Sequence, residues 1–230
     1  MGRTFVIGDI HGAYRALLQC LEKAKFNYSL DHLICLGDVS DGWPDTKASV
    51  EELLQIKNLT YILGNHDWWT LQWMHHGVAE DAWRTQGGKA TMTSYADGVP
   101  ESHVHLLASA PYYYRTNGRL FVHAGIDPSK ALEQQKRETF LWDRTLASLA
   151  LELYSLGTEG KLTAFDEVYV GHTPIPFSRP LHAMGVWLMD TGAGWSGVLS
   201  MMNVETKETF ISDPVPDLYP GVEGRKRKLS

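Results

Sequence analysis

Short apolar runs of strand length recur along the chain, at residues 4–7, 33–36, 60–63, 120–122 and 168–170, and each ends on a glycine or a histidine. Between the first three of them, residues 13–24 set Leu17, Leu18, Leu21 and Ala24 on one helical stripe, and residues 45–56 do the same with Val50, Leu53, Leu54 and Ile56. Strand, helix, strand, helix, strand predicts a layered α/β sheet. Asp67 is placed to cap a helix that runs through Met74 and stops at Gly77. Residues 86–98, rich in Gly, Thr and Ser, read as an exposed loop, and residues 112–115 and 119–123 flank Asn117-Gly118, a hairpin signal. Residues 128–156 read as mostly helical, and residues 186–211 alternate short strands with turns. The pattern predicts an α/β architecture: a double, mixed β-sheet sandwich flanked by helices over residues 1–212. A Pro- and Gly-rich tail over residues 213–230 reads as flexible, and its basic run from Arg225 to Lys228 as solvated.

At 230 residues, with 43% apolar and 21% charged residues, the chain has the length and composition of a globular domain with a sizeable core. A formal net charge of -6 disfavours long nucleic acids as partners. No apolar stretch reaches the length of a membrane span, and Met1 to Arg3 lead straight into the first strand, so the expected location is the cytoplasm. Cys20 and Cys35 both fall on apolar positions and read as buried free thiols.

Candidate chemistry lies at the strand ends. Gly8-Asp9-Ile10-His11-Gly12, Gly37-Asp38-Val39-Ser40-Asp41, Gly64-Asn65-His66-Asp67, His123-Ala124-Gly125 and Gly171-His172-Thr173-Pro174 each follow an apolar run. Strand ends in an open sheet deliver side chains to one crevice, so Asp9, His11, Asp38, Asn65, His123 and His172 can converge. Oxygen and imidazole donors without a thiolate suit two borderline divalent ions sharing one carboxylate, an arrangement used in phosphate-ester hydrolysis. Each fragment alone is weak, and the force lies in their conjunction beside so many glycines.

In these blocks the chain resembles the phosphoprotein phosphatase family of the calcineurin-like metallophosphoesterases, whose pattern GDxHG, GDxxDRG, GNHE, HGG and a later histidine stands here as GDIHG, GDVSDGW, GNHD, HAG and GHTP. The likeness spans residues 5–195, and the GHTP and Leu141-Trp142-Asp143-Arg144 blocks look most like the small bacterial and phage members. The resemblance implies that Asp9 and His11 hold one metal, that Asp38 bridges, and that Asn65, His123 and His172 hold the other. The two divalent ions would be Mn2+ first, with Fe or Zn as alternatives, and a metal-bridging hydroxide would attack phosphorus directly. It further implies His66 as general acid, Asp41 as its orienting carboxylate, and Asp190 as a support for a histidine ligand.

Two departures bear on substrate. Gly42 stands where the family has a phosphate-gripping arginine, which leaves Arg144 as the remaining substrate arginine, unless that side chain is merely a surface ion-pair partner. Losing one cation weakens a dianionic monoester more than a diester, so an arginine restored at Gly42 would favour monoesters. Trp43, in the next position, is the candidate pocket wall, whereas Trp69 and Trp73, four apart on a helix, read as core. The leading expectation is a phosphatase of phosphomonoesters, acting on phosphoserine or phosphothreonine in proteins or on a small phosphoester. The alternatives are a nucleotide hydrolase resembling symmetrical diadenosine tetraphosphatases, a phosphodiesterase, or a metal-binding scaffold without catalysis.

Overall fold

The computed structural model describes residues 2–225. Its first half runs β1 (Thr4–Ile7), α1 (Tyr14–Lys23), β2 (His32–Cys35), α2 (Thr46–Leu54), β3 (Asn58–Tyr61), α3 (Asn65–His76), the single turn α4 (Asp81–Trp83), α5 (Lys89–Ser94) and α6 (Glu101–Ser109). Its second half runs β4 (Tyr113–Thr116), β5 (Arg119–Val122), α7 (Arg137–Trp142), α8 (Thr145–Ser155), β6 (Glu167–Val170), β7 (Leu181–Ala183), β8 (Val186–Leu188), β9 (Ser200–Asn203), β10 (Thr209–Ile211) and α9 (Val215–Leu218). Two five-stranded sheets result, in the orders β10-β9-β1-β2-β3 and β4-β5-β6-β8-β7. Strands β1, β2 and β3 are mutually parallel, as are β5, β6 and β8, while β9, β10, β4 and β7 pair antiparallel at the flanks.

The unbroken apolar runs follow from burial on both faces. Side chains alternate across a strand, so Phe5 and Ile7 pack under the helices while Val6 turns to the other sheet; Leu33 and Cys35 are divided from Ile34 in the same way. In the second sheet Leu120, Val122, Val168 and Val170 face the helix layer, and Phe121 and Tyr169 face inward, stacked with ring centroids 4.6 Å apart. The layer between the sheets, from Val6 and Ile34 to Tyr169 and Met202, ties them into one body. As a consequence, the carboxyl ends of β1, β2, β3, β5 and β6 open on one crevice.

Helix α3 ends at Gly77 in a left-handed conformation, as the pattern implied. Two expectations need correction. Residues 86–98 are not an exposed loop: they pass through a kinked turn at Gln86 and Gly87 into α5, with Gly88, Thr91 and Tyr95 buried. Their small residues serve close approach, since a Cβ on Gly88 would lie 2.5 Å from the Trp83 indole. The stretch expected to be a flexible tail packs onto the domain as far as Arg225, with Val215 and Tyr219 buried. The rest of its basic run, Lys226 to Lys228, lies outside the described residues.

Candidate metal centre and active site

Asp9 and His11 leave β1, Asp38 leaves β2, Asn65 opens α3 after β3, His123 leaves β5 and His172 leaves β6. All are buried, and their ligating atoms form two clusters that share one carboxylate: Asp9, His11 and Asp38, and Asp38, His123 and His172. Within each cluster the ligand atoms lie within 4.8 Å of one another. His11, Asp38 and His172 adopt positive φ angles of 51°, 52° and 60°, backbone strain held where side chains must turn into the crevice. Two glycines are required by approach: a Cβ on Gly64 would lie 2.1 Å from Asp38 Oδ1, and one on Gly171 2.2 Å from Asp9 Oδ1.

Backbone carbonyls set the tautomers. His11 Nδ1–H donates to the Ser40 carbonyl at 2.9 Å and His123 Nδ1–H to the Leu36 carbonyl at 2.8 Å, so both Nε2 lone pairs face the cluster. Burial pushes His11, His123 and His172 below their ordinary value, His123 to about 3, which keeps them neutral as ligation requires, and it pushes His66 down as well. Burial and the neighbouring carboxylates Asp190 and Asp38 push Asp9 up, and burial with Asp67 pushes Asp38 up.

The donor set fits cations. In the tautomer described, His123 Nε2 and Asn65 Oδ1 are both acceptors, and they face each other at 3.0 Å. Asp190 Oδ2 is buried with no hydrogen-bond partner among the described residues. Acceptors and carboxylates crowded this way are relieved by divalent ions, and oxygen with imidazole is the ligand chemistry of Mn2+, Fe or Zn. The first cluster would take one ion, the second with Asn65 the other. Asp190 does not support a histidine: its Oδ1 accepts the Gly192 N–H at 2.9 Å, and it acts on Asp9 through its charge.

His66 stands apart from the ligands. Its Nδ1 lies 2.6 Å from Asp41 Oδ2, which also accepts the Trp83 indole N–H at 2.6 Å, while Asp41 Oδ1 accepts the Thr91 hydroxyl at 2.7 Å. Burial raises the Asp41 carboxyl to about 8, against the pull of the Thr91 and Trp83 donors. Trp83 and Thr91 were not foreseen from the sequence, because neither sits in a motif and Thr91 lay in the presumed loop. Asp67 does more than cap α3. It accepts the N–H groups of Asp38 at 2.7 Å, Val39 at 3.0 Å and Gly64 at 3.1 Å and the Tyr61 hydroxyl at 2.7 Å, pinning the loop that carries Asp38.

Arg144 is exposed at the rim, and its Nη1 donates to the His172 carbonyl at 2.6 Å and lies 3.2 Å from Thr173 Oγ1, so it borders the second cluster. Trp43 is not a pocket wall. It is 1% exposed, donates its indole N–H to the Ala193 carbonyl at 2.7 Å and stacks on Tyr219, because the chain from α9 onward covers it. Trp68 and Trp69 are half-buried instead, and with Gln72, His76 and Trp83 they line a cavity of about 300 Å³ beside His66.

Known proteins match this arrangement. Residues 2–196 fit the model of the calcineurin-like phosphoesterases, and the chain belongs to that family. Within it, the relatives point to the small bacterial phosphoprotein phosphatase type. A "Serine/threonine-protein phosphatase 1" from Salmonella typhimurium is 26% identical over 88% of this chain and 92% of its own length. A "Bis(5'-nucleosyl)-tetraphosphatase, symmetrical" from Cellvibrio japonicus is 35% identical over 57% of this chain and 48% of its own length, so this chain spans about half of that relative. A protein serine/threonine phosphatase structure from Saccharomyces cerevisiae shares the fold with a TM-score of 0.60 at 13% identity, over 97% of this chain and 83% of that one. The chain is thus a metallophosphoesterase by family. Among the described residues, no helix is long and apolar enough to cross a membrane.

Proposed function

We propose that the protein is a dinuclear metal-dependent phosphatase of phosphomonoesters, with phosphoserine and phosphothreonine in proteins as its substrate class. The observation that carries this reading is the pair of ligand clusters sharing Asp38, with the His66–Asp41 pair standing beside them and outside the ligand set. Bound there, two divalent ions would offset phosphoryl charge and make water a competent nucleophile near neutral pH. His11 and His123 offer neutral Nε2 atoms, and Asp9 and Asp38 supply the negative charge that retains the ions. Asn65 and His172 complete the second cluster. His66, oriented by Asp41 and helped by that carboxylate to carry a proton against the pull of burial, donates the proton to the leaving oxygen and becomes neutral. Arg144, at the rim, draws the anionic substrate towards the second cluster. Mn2+ is the metal we assign first.

The near full-length likeness to a serine/threonine phosphatase supports the protein substrate class. A second reading, hydrolysis of dinucleoside tetraphosphates, is favoured by the cavity lined by half-buried Trp68 and Trp69, whose rings offer aromatic surface, with Trp69 packed edge-on against His66. Turnover of p-nitrophenyl phosphate, bis-p-nitrophenyl phosphate, a phosphoserine peptide and diadenosine tetraphosphate by Mn2+-loaded protein separates them, with His66→Ala as control. Preference for the monoester and peptide, lost in the variant, is the expected result. Preference for the dinucleotide selects the second reading, and no turnover of any ester sinks both in favour of a binding module.

A further inference from the structure

The motif that lacks its arginine has a basic side chain beside it after all. Gly42 has φ of +119°, and a Cβ built there would lie 3.2 Å from Arg225 Cγ, so the space next to Gly42 is filled from the far end of the chain. The delivery is well built. Val215 of α9 is buried, Tyr219 stacks on Trp43 with centroids 5.1 Å apart, and Gly224 crosses the Trp43 ring so closely that a Cβ would come within 2.7 Å of it. Arg225 N–H then donates to the Gly194 carbonyl at 2.9 Å, and the guanidinium lies over the Trp195 ring at 4.4 Å. Its Nη1 donates to His11 Nε2 at 3.0 Å, while its Nε–H is buried with no partner among the described residues.

We infer that Arg225 is the phosphate-binding cation of this site, replacing from the C-terminal segment the arginine that Gly42 lacks. This rests on the metallophosphatase reading above. His11 Nε2 is the lone pair offered to a cation in the first cluster, and a cation taking it leaves Arg225 Nη1 without its acceptor. Two positive centres cannot share that atom. The partly buried guanidinium then holds two unsatisfied donors, and a phosphoryl group is the oxyanion that the planar fork matches. Trp195 holds the plane of the fork, and the glycine at 42 is what makes room for it. Arginine at Gly42 therefore does not restore a missing contact. It would meet Arg225 and the His11 carbonyl from a strained backbone, which argues against the expectation that such a change favours monoesters.

The test compares the Mn2+-loaded full chain with Arg225→Gln and Arg225→Lys. Calorimetry reads binding of inorganic phosphate, elemental analysis reads manganese content, and kinetics read KM and kcat on p-nitrophenyl phosphate and its bis-ester. Arg225→Gln should bind phosphate about 10- to 100-fold more weakly, with monoester kcat/KM falling in step, the diester falling less and manganese content unchanged. Arg225→Lys, which keeps the charge without the fork, should fall between and carries the test if the glutamine variant melts early. Unchanged phosphate affinity in both variants, while the parent binds phosphate and turns over ester, overturns the Arg225 assignment alone. Tighter manganese binding with faster turnover overturns it too, showing a plug over His11. A parent chain that neither binds phosphate nor hydrolyses any ester overturns it together with the phosphatase reading.

Discussion

Asp41→Asn isolates the charge beside the proposed general acid with little change of shape. An asparagine can place its carbonyl oxygen where Oδ2 now accepts from His66 and Trp83, with its amide facing Thr91 Oγ1. The Thr91 hydroxyl can in turn donate to Thr46 Oγ1, 3.3 Å away, so the hydrogen bonds survive and only the charge is lost. Burial raises the Asp41 carboxyl to about 8 while His66 is neutral, and it ionises once His66 carries the proton; the resulting imidazolium and carboxylate, with charge centres about 4 Å apart, interact by about 4 kcal/mol at an effective dielectric of about 20. Lost from the transition state, that is about three powers of ten in rate, within the usual reach of general acid catalysis. The assay compares kcat on a phosphoserine peptide, whose alkoxide must be protonated, with kcat on p-nitrophenyl phosphate, whose phenolate leaves unaided. The peptide rate should fall about 10³-fold and the nitrophenyl rate less than about 10-fold. An equal fall on both would refute the reasoning, because Asp41 would then act by holding the metal loops and not through His66.

Three further outcomes follow from the same geometry. Asp38→Asn removes the carboxylate shared by both clusters; in chelator its Tm should match or exceed the parent's, because carboxylate repulsion is relieved, while the stabilisation by excess Mn2+, about 2.7 kcal/mol per site at 100-fold Kd, should be lost in a thermal melt. Trp43→Ala should cost about 3–5 kcal/mol in urea unfolding, since it empties the stack under Tyr219 and strands the Ala193 carbonyl. Glu167 is pushed up by partial burial, but donation from Lys207, Trp187 and Tyr169 outweighs this and holds it down to about 2. A depressed carboxyl stabilises above its unfolded value and loses that contribution as pH falls through the folded one. Glu167→Gln should therefore be less stable than the parent at pH 7, by on the order of 1–2 kcal/mol after solvent screening, with the gap closing between about pH 4.5 and 2. A gap independent of pH would show that packing is responsible.

Much of the candidate site was legible because its candidate ligands sit at strand ends. A parallel strand buried on both faces writes itself as an apolar run, and the glycine after it marks where backbone must pass a ligand, as Gly64 passes Asp38. Asp9, His11, Asp38, Asn65, His123 and His172 could thus be named before their distances were known. The supports for Asp41 were not legible. Thr91 and Trp83 lie far from Asp41 in sequence, and the Gly, Thr and Ser around Thr91 have the composition of a loop while performing the packing of a core.

The amino-acid order alone determined the strand and helix succession of residues 4–77, the candidate ligand chemistry and the family pattern, because each depends on residues that are neighbours along the chain. Tertiary structure alone decided what Trp43 and Arg225 do. The sequence pointed to Trp43 as a pocket wall and to Arg225 as part of a solvated tail; the fold buries the first under Tyr219 and seats the second against His11 and Gly42. The reason is physical: contact across 183 positions leaves no periodicity or spacing to read, and only the packing of α9 and the residues after it brings position 225 to position 42.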